Sequence, residues 1–313
     1  MKRNRRDTAA KAAAAALALV VLAGCSIGPV NLDSLVGQTS VAEARAQRRE
    51  RLVPAVADSD LSEAGALTVG VKSSEAAPLV LRSTTDGSLA GIDVDTAYAL
   101  ADALGLSSVT FVSVPSASAG LASGCDVVMG VDANEDAAVT VVGDYAQSAL
   151  GVFGGSSASA SVDASDLAGA TVAVQSGSVS QAALSKLDLS VDESTYTNLN
   201  EAFDALSAGS ADYVVCDAYA GAYLACTHDG ISFVGTLDDP SSVGVALSPD
   251  ASSLTAAVRI ALEQVQENGV AAIAKARWVG DLPTLTDATK VTGVSAALAT
   301  AVDATAATAT AGQ

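Results

Sequence analysis

Thr171-Val172-Ala173-Val174-Gln175-Ser176-Gly177-Ser178 reads as an apolar strand that stops in a polar turn, with a helix starting near Ser180. The same grammar recurs to either side. Leu67–Lys72, Val109–Val114, Asp126–Val131, Tyr213–Cys216, Ile231–Gly235 and Val243–Leu247 are apolar runs of strand length. Between them lie helical patterns. Asp95 is placed to cap a helix that shows Ala97, Leu100, Ala101 and Leu104 on one face and ends at Gly105. Asn200 is placed to cap Glu201–Ala208, which Gly209 closes. Leu254, Val258, Leu262 and Val265 mark one face of a long helix ended by Gly269, and a short helix then runs to Trp278. Strands alternating with helices predict an α/β fold with parallel sheets.

Ligands of such sheets bind beyond the carboxyl ends of the strands. That rule selects Lys72-Ser73-Ser74, Val131-Asp132, Ser176-Gly177-Ser178 and Asp217-Ala218-Tyr219. These ends are polar while the strands are apolar, which is the requirement of a cleft between two lobes. Gly154-Gly155-Ser156-Ser157 is a flexible stretch between two such series.

The chain begins with a separate message. Lys2, Arg3, Arg5 and Arg6 precede an apolar run from Ala12 to Ala23 that ends in Leu22-Ala23-Gly24-Cys25. The run is too short to span a membrane, which takes about 20 residues, so residues 1–24 read as a secretory signal. The Leu-Ala-Gly-Cys ending resembles a bacterial lipobox, which implies acylation of Cys25 and attachment to the outer face of the cell membrane. Residues 25–65 are polar, with one helical stretch at Val41–Val53, and read as a tether. Beyond Pro283 the chain is Ala- and Thr-rich, and residues 282–313 are expected to be mobile or loosely docked.

Half of the 313 residues are hydrophobic, enough for a large core, while aromatics make up 4%. The formal net charge of −19 argues against nucleic-acid partners. Cys125, Cys216 and Cys226 show no metal-ligand spacing. They are expected to be buried free thiols, because an odd number cannot all pair within one chain. The single histidine, His228, sits in a Thr-His-Asp-Gly stretch that reads as an exposed turn. No Ser–His or Cys–His arrangement, phosphate loop or cofactor motif is legible. The expectation is a binding protein without a cofactor and not an enzyme.

The order of segments resembles the bacterial extracellular solute-binding proteins of family 3, the polar amino-acid uptake class. Leu67-Thr68-Val69-Gly70-Val71 looks like the family's opening strand. Gly91-Ile92-Asp93-Val94-Asp95 is similar to its Gly-Phe-Asp-Val-Asp signature. Leu121-Ala122-Ser123-Gly124-Cys125-Asp126, Asp166-Leu167-Ala168-Gly169, Ala205-Leu206-Ser207-Ala208-Gly209 and the closing Trp278-Val279-Gly280 follow in the family's order. The likeness covers residues 66–281. It implies a two-lobed, periplasmic-binding-protein type II fold with two hinge crossovers. Lobe 1 would be residues 66–150 plus 241–281, and lobe 2 residues 151–240. It further implies a monomer that captures a small polar ligand, an amino acid or related amine, and delivers it to an ABC permease. A ligand sensor or surface binding module without transport is the alternative.

The resemblance makes Asp217 the acceptor of a ligand ammonium, although an Asp there also reads as a helix N-cap. The amides around Gly177 are candidates for a ligand carboxylate, as is any strand-to-helix turn. Two features of the family pattern are missing. No Lys or Arg stands between Asp126 and Ser185, where the carboxylate-clamping Arg is usual, and Leu79 follows Pro78 in place of the stacking aromatic. Lys72 is the candidate replacement cation, with a snorkelling side chain as the bland reading. Asp132 and Asp136 are candidates to hold a cationic amine. The candidate set is therefore Lys72, Ser73, Ser74, Val131, Asp132, Asp136, Ser176, Gly177, Ser178 and Asp217.

Overall fold

A computed structural model describes residues 52–73, 77–156, 158 and 162–295. The signal segment, Cys25, most of the tether, Ser74 and the end of the tail lie outside the described residues.

In chain order the strands are β1 (Ala66–Lys72), β2 (Leu81–Arg82), β3 (Leu89–Ala90), β4 (Ser108–Val114), β5 (Val127–Asp132), β6 (Thr140–Ser148), β7 (Leu150–Gly154), β8 (Thr171–Gln175), β9 (Asp192–Tyr196), β10 (Tyr213–Asp217), β11 (Ser232–Thr236) and β12 (Ser241–Leu247). The helices are α1 (Ile92–Ala103), α2 (Ala117–Ala122), α3 (Ala164–Leu167), α4 (Val179–Leu184), α5 (Leu199–Ser207), α6 (Ala218–Ala225), α7 (Ser252–Glu267) and α8 (Val270–Val279). One sheet has the order β4-β1-β5-β12-β6, the other β11-β7-β10-β8-β9. In the first, β1 runs parallel to β4 and β5, and β12 is antiparallel to β5 and β6. In the second, β8 is parallel to β9 and β10, and β7 is antiparallel to β10 and β11. This is the two-lobed α/β architecture that the resemblance implies, but the sheets are mixed and not purely parallel as the alternating pattern predicts, because β6, β7, β11 and β12 join them as antiparallel neighbours.

Each lobe buries its own apolar strand faces. Leu67, Val69, Val127 and Met129 pack under Leu100, Leu104, Val258 and Leu262 in the first lobe. Val172, Val174, Val215 and Leu167 do so in the second. A third cluster spans both lobes, joining Ile92, Ala146, Val243 and Val279 to Phe153, Phe203, Val214 and Tyr219. The chain passes from lobe to lobe between β6 and β7 and between β11 and β12. These crossovers are tied together: the Leu150 N–H donates to Asp238 Oδ1 (2.6 Å) and the Leu237 N–H to the Leu150 carbonyl (2.8 Å).

Several expectations require correction. Helix α1 begins at Ile92, ahead of Asp95. Its first N–H groups are capped by backbone, Ile92 donating to the Pro78 carbonyl (2.9 Å) and Asp93 to the Leu79 carbonyl (3.1 Å). Gly91 permits this with φ +133°, since a Cβ there would lie 2.1 Å from the Leu79 oxygen. Asp95 instead accepts the Trp278 indole N–H at 2.7 Å. The cap of α5 is Asn198, whose Oδ1 accepts the Glu201 N–H at 3.0 Å, two residues before the Asn200 expected. Pattern does not predict β6 and β7, whose interruptions at Gly143, Asp144 and Gly151 mask the strand period, nor the polar edge strand β9.

The ends of the described chain are packed. Val56 is buried in the first lobe's core, and the Ser62 N–H donates to Asp126 at 2.7 Å. The described part of the tail docks for the same reason, because its apolar residues are spaced to reach the core. Leu282 and Leu285 enter the shared cluster, Val291 enters the second lobe's core, and Lys290 bridges to Thr236 beside β11. Residues 282–294 are thus a third passage between the lobes.

Candidate functional site

The carboxyl ends of β1, β5 and β10 meet at a cavity of about 410 Å³ between the lobes. The first lobe contributes Lys72, Ala77, Pro78, Leu79, Gly130, Asp132, Glu135, Gln147, Ser148 and Val243. The second contributes Val179, Asp217, Tyr219 and Ala220. The volume falls in the range of small-molecule sites, roughly 300–1,000 Å³.

Lys72 ends β1 with 8% of its side chain exposed, so it does not snorkel to solvent. Its Nζ lies 2.7 Å from Glu135 Oε2, and the same oxygen accepts the Asp132 N–H at 3.3 Å. Asp132 ends β5. Its Oδ1 accepts the Asn134 N–H (2.8 Å), and its Oδ2 accepts the Ser241 hydroxyl at the start of β12. Asp217 ends β10 and caps α6, Oδ1 accepting the Tyr219 and Ala220 N–H groups at 3.0 Å each. Its Oδ2 accepts the Ser148 hydroxyl across the lobes at 3.2 Å. Cap and cavity wall are therefore two uses of one side chain.

The floor is held from behind. Asp93, fully buried, accepts the Tyr145 hydroxyl at 2.7 Å, and the Tyr145 oxygen accepts the Gly130 N–H at 2.6 Å. Gln147 is locked to the tail, its Nε2 donating to the Leu285 carbonyl and its Oε1 accepting the Leu285 N–H, both at 2.8 Å. Tyr219 is almost wholly buried. Burial pushes its phenol up to about 12, against an opposing hydrogen bond from the Gln147 backbone.

Lys72, Asp132 and Asp217 are brought together at the cavity; the other described candidates do not line it. Ser73 is exposed and its N–H pairs with the Val114 carbonyl (2.8 Å). Val131 is a core residue with no exposure. Asp136 turns its carboxylate to the Ala138 N–H of its own turn (2.9 Å) and to the hydroxyl of Ser118 in α2, which hold its pKa below the usual carboxylate value. At Ser176-Gly177-Ser178 the donors are already used. The Ser176 N–H pairs with the Tyr196 carbonyl, the Gly177 N–H with Gln181 Oε1 (2.6 Å), and the Ser178 N–H with the Gln175 carbonyl. Ser178 Oγ caps α4. Sequence reasoning missed the polar lining residues Glu135, Gln147 and Ser148, and also Ala77, Gly130, Val179, Ala220 and Val243. The one legible signal was the nearness of Glu135 to Asp132.

Among the described residues all three cysteines are free, and Cys125 and Cys216 are buried as expected. Burial raises the Cys216 thiol well above its ordinary value, so it is held as the neutral thiol. Cys226 is exposed instead, since it caps the C-terminal end of α6. His228 stacks near Phe203 with its Nδ1 2.8 Å from the Leu224 carbonyl, and is half-buried. No described helix is long and apolar enough to cross a membrane.

No protein-family model and no curated protein matches the chain. Solved structures do. An ancestral cationic amino acid solute-binding protein aligns with TM-score 0.59 at 24% identity, over 75% of this chain and 99% of that one. The unliganded, open L-cystine solute receptor of Neisseria gonorrhoeae aligns with TM-score 0.60 at 19% identity, over 76% and 98%. The second substrate-binding domain of Lactococcus lactis GlnP, also open, gives TM-score 0.57 at 18% identity, over 69% and 95%. The chain has the fold of these solute-binding proteins.

Proposed function

We propose that this chain is a lipid-anchored, extracytoplasmic solute-binding protein of family 3 that closes two lobes on a small polar ligand, an amino acid or related amine. It then presents the closed form to an ABC permease. Residues 1–24 are the signal, Cys25 the lipidation site and the residues from there to 52 the link to the folded part, the end of the expected tether being packed on the first lobe through Val56 and Ser62. Residues 66–150 with 241–281 form one lobe, residues 151–240 the other, and residues 282–313 the tail.

One observation carries this reading. The charged groups of the cavity come from both lobes, Lys72 and Asp132 at strand ends with Glu135 in the following turn from one, and Asp217 at a strand end from the other. A ligand touching both binds the closed form better than the open one, which is the condition for ligand-driven closure. Lys72, Asp132 and Asp217 are the proposed contacts. The wall residues Glu135, Ser148 and Tyr219 shape the space around them.

Thermal melting of the purified protein against amino acids, polyamines and small organic cations tests it. A specific ligand at a hundred times its dissociation constant stabilises by about 2.7 kcal/mol. The expected result is an upward shift of several degrees with one ligand class, lost in Asp217→Ala. A panel that leaves the melting curve unmoved overturns the reading.

A further inference from the structure

Resting on the reading that this cavity takes a ligand, we propose that Glu135 sets the ligand class by neutralising Lys72, so that the site takes a small organic cation without a carboxylate. Lys72 is the single cation among the described lining residues, against the carboxylates of Asp132, Glu135 and Asp217. A buried ammonium is the natural partner for an incoming carboxylate. Here that position is filled from within, Glu135 Oε2 standing 2.7 Å from Nζ in a pair whose cation is buried. The pair is also anchored: the same oxygen accepts the Asp132 N–H, which fixes Glu135 over the turn that follows β5. A ligand carboxylate would have to displace Glu135 and then lie among the two remaining acids. The only backbone turn that sequence offers as an anion site, at Gly177, has its N–H taken by Gln181.

The rest of the lining fits the other end of such a ligand. Ala77, Pro78, Leu79 and Val243 are apolar lining on the first lobe, and Val179 lines the same space from the second. Val179 is 87% exposed, an apolar side chain left uncovered at the rim of a cavity. Three carboxylates against one cation that is already paired, with apolar side chains beside them, together describe a short-chain amine or guanidine. A zwitterion carries one charge too many for this wall.

Calorimetric titration with matched pairs tests the inference: 1,4-diaminobutane against ornithine, 1,5-diaminopentane against lysine, and agmatine against arginine. The expected result is at least tenfold tighter binding of the decarboxylated member of whichever pair binds. Glu135→Gln, which removes the competing carboxylate beside Lys72, should narrow that ratio tenfold or more. Glu135→Ala should do the same, and Glu135 is exposed enough that both variants fold, as their melting curves will verify. An amino acid that binds as tightly as its amine, or a ratio unmoved by both variants, overturns the role of Glu135. Binding of neutral zwitterions alone overturns the cation class while the ligand-binding reading stands. No binding by any compound overturns the reading on which both rest.

Discussion

Asp132 and Asp217 end equivalent parallel strands in the two lobes, yet they are held in different ways. Asp132 is restrained within its own lobe, by the Asn134 N–H and the Ser241 hydroxyl. Asp217 carries the first turn of α6 and meets the other lobe at the Ser148 hydroxyl. The first lobe therefore presents a linked charge constellation, with Glu135 bonded both to Lys72 and to the Asp132 N–H. The second presents one carboxylate whose placement depends on a helix. A rule that locates ligands at strand ends finds both acids, but only the hydrogen bonds distinguish a fixed wall from one that moves with its lobe.

The contrast can be broken most forcefully at the point where both lobes share a core. Leu285 is 2% exposed in the cluster that spans them. Leu285→Ala should remove about 2–5 kcal/mol, a fall of roughly 5–15 °C in melting temperature. Differential scanning calorimetry should show one transition for the wild type and two for this variant, as the lobes lose their common packing. One unchanged transition would mean that the shared cluster does not couple them.

A smaller effect separates the two acids. Asn caps helices about as well as Asp, so Asp217→Asn should melt close to the wild type while binding a cationic ligand roughly 10- to 100-fold more weakly. Asp132→Asn should weaken binding as well, with its own loss of stability from the Ser241 contact. Titration of both variants with the same amine gives the comparison directly. Equal affinity of Asp217→Asn and wild type would reduce Asp217 to a helix cap.

The smallest effect lies at high pH. The folded state holds the Tyr219 proton up to about 12, while the unfolded chain releases it near the ordinary value of 10. Stability from this group is complete below about pH 10 and is lost as pH rises toward 12. Tyr219→Phe, with no proton to release, should lose less stability than the wild type between those values. Melting at pH 8 and pH 11 checks it. Parallel losses in both proteins would mean that other groups govern the alkaline limb.

Much of the scaffold was legible because its strands are apolar and its turns polar. Strand ends then located Lys72, Asp132 and Asp217 without any contact being known. What failed was local competition. Whether the Gly177 N–H meets a ligand or Gln181, four residues on, is decided by a rotamer that no pattern records. Asp136 lies four residues from Asp132, but the turn between them directs its carboxylate to Ala138 and Ser118. The pairing of Glu135 with Lys72 joins positions 63 apart and has no local signal. The start of α1 was missed because its cap is a pair of backbone carbonyls from Pro78 and Leu79, not a side chain.

The docked tail gives the hinge a property that two strands alone would not. A two-strand hinge can bend and also twist. A third passage, pinned by Gln147 at Leu285 and again beside β11 at Lys290, resists twist and leaves bending as the soft direction. On the proposed reading, in which the lobes close on a ligand, such an open state would sample fewer relative orientations and surrender less conformational entropy on closure. More of the contact energy between ligand and walls is available as affinity, and a cavity with few aromatic surfaces can still hold a small cation.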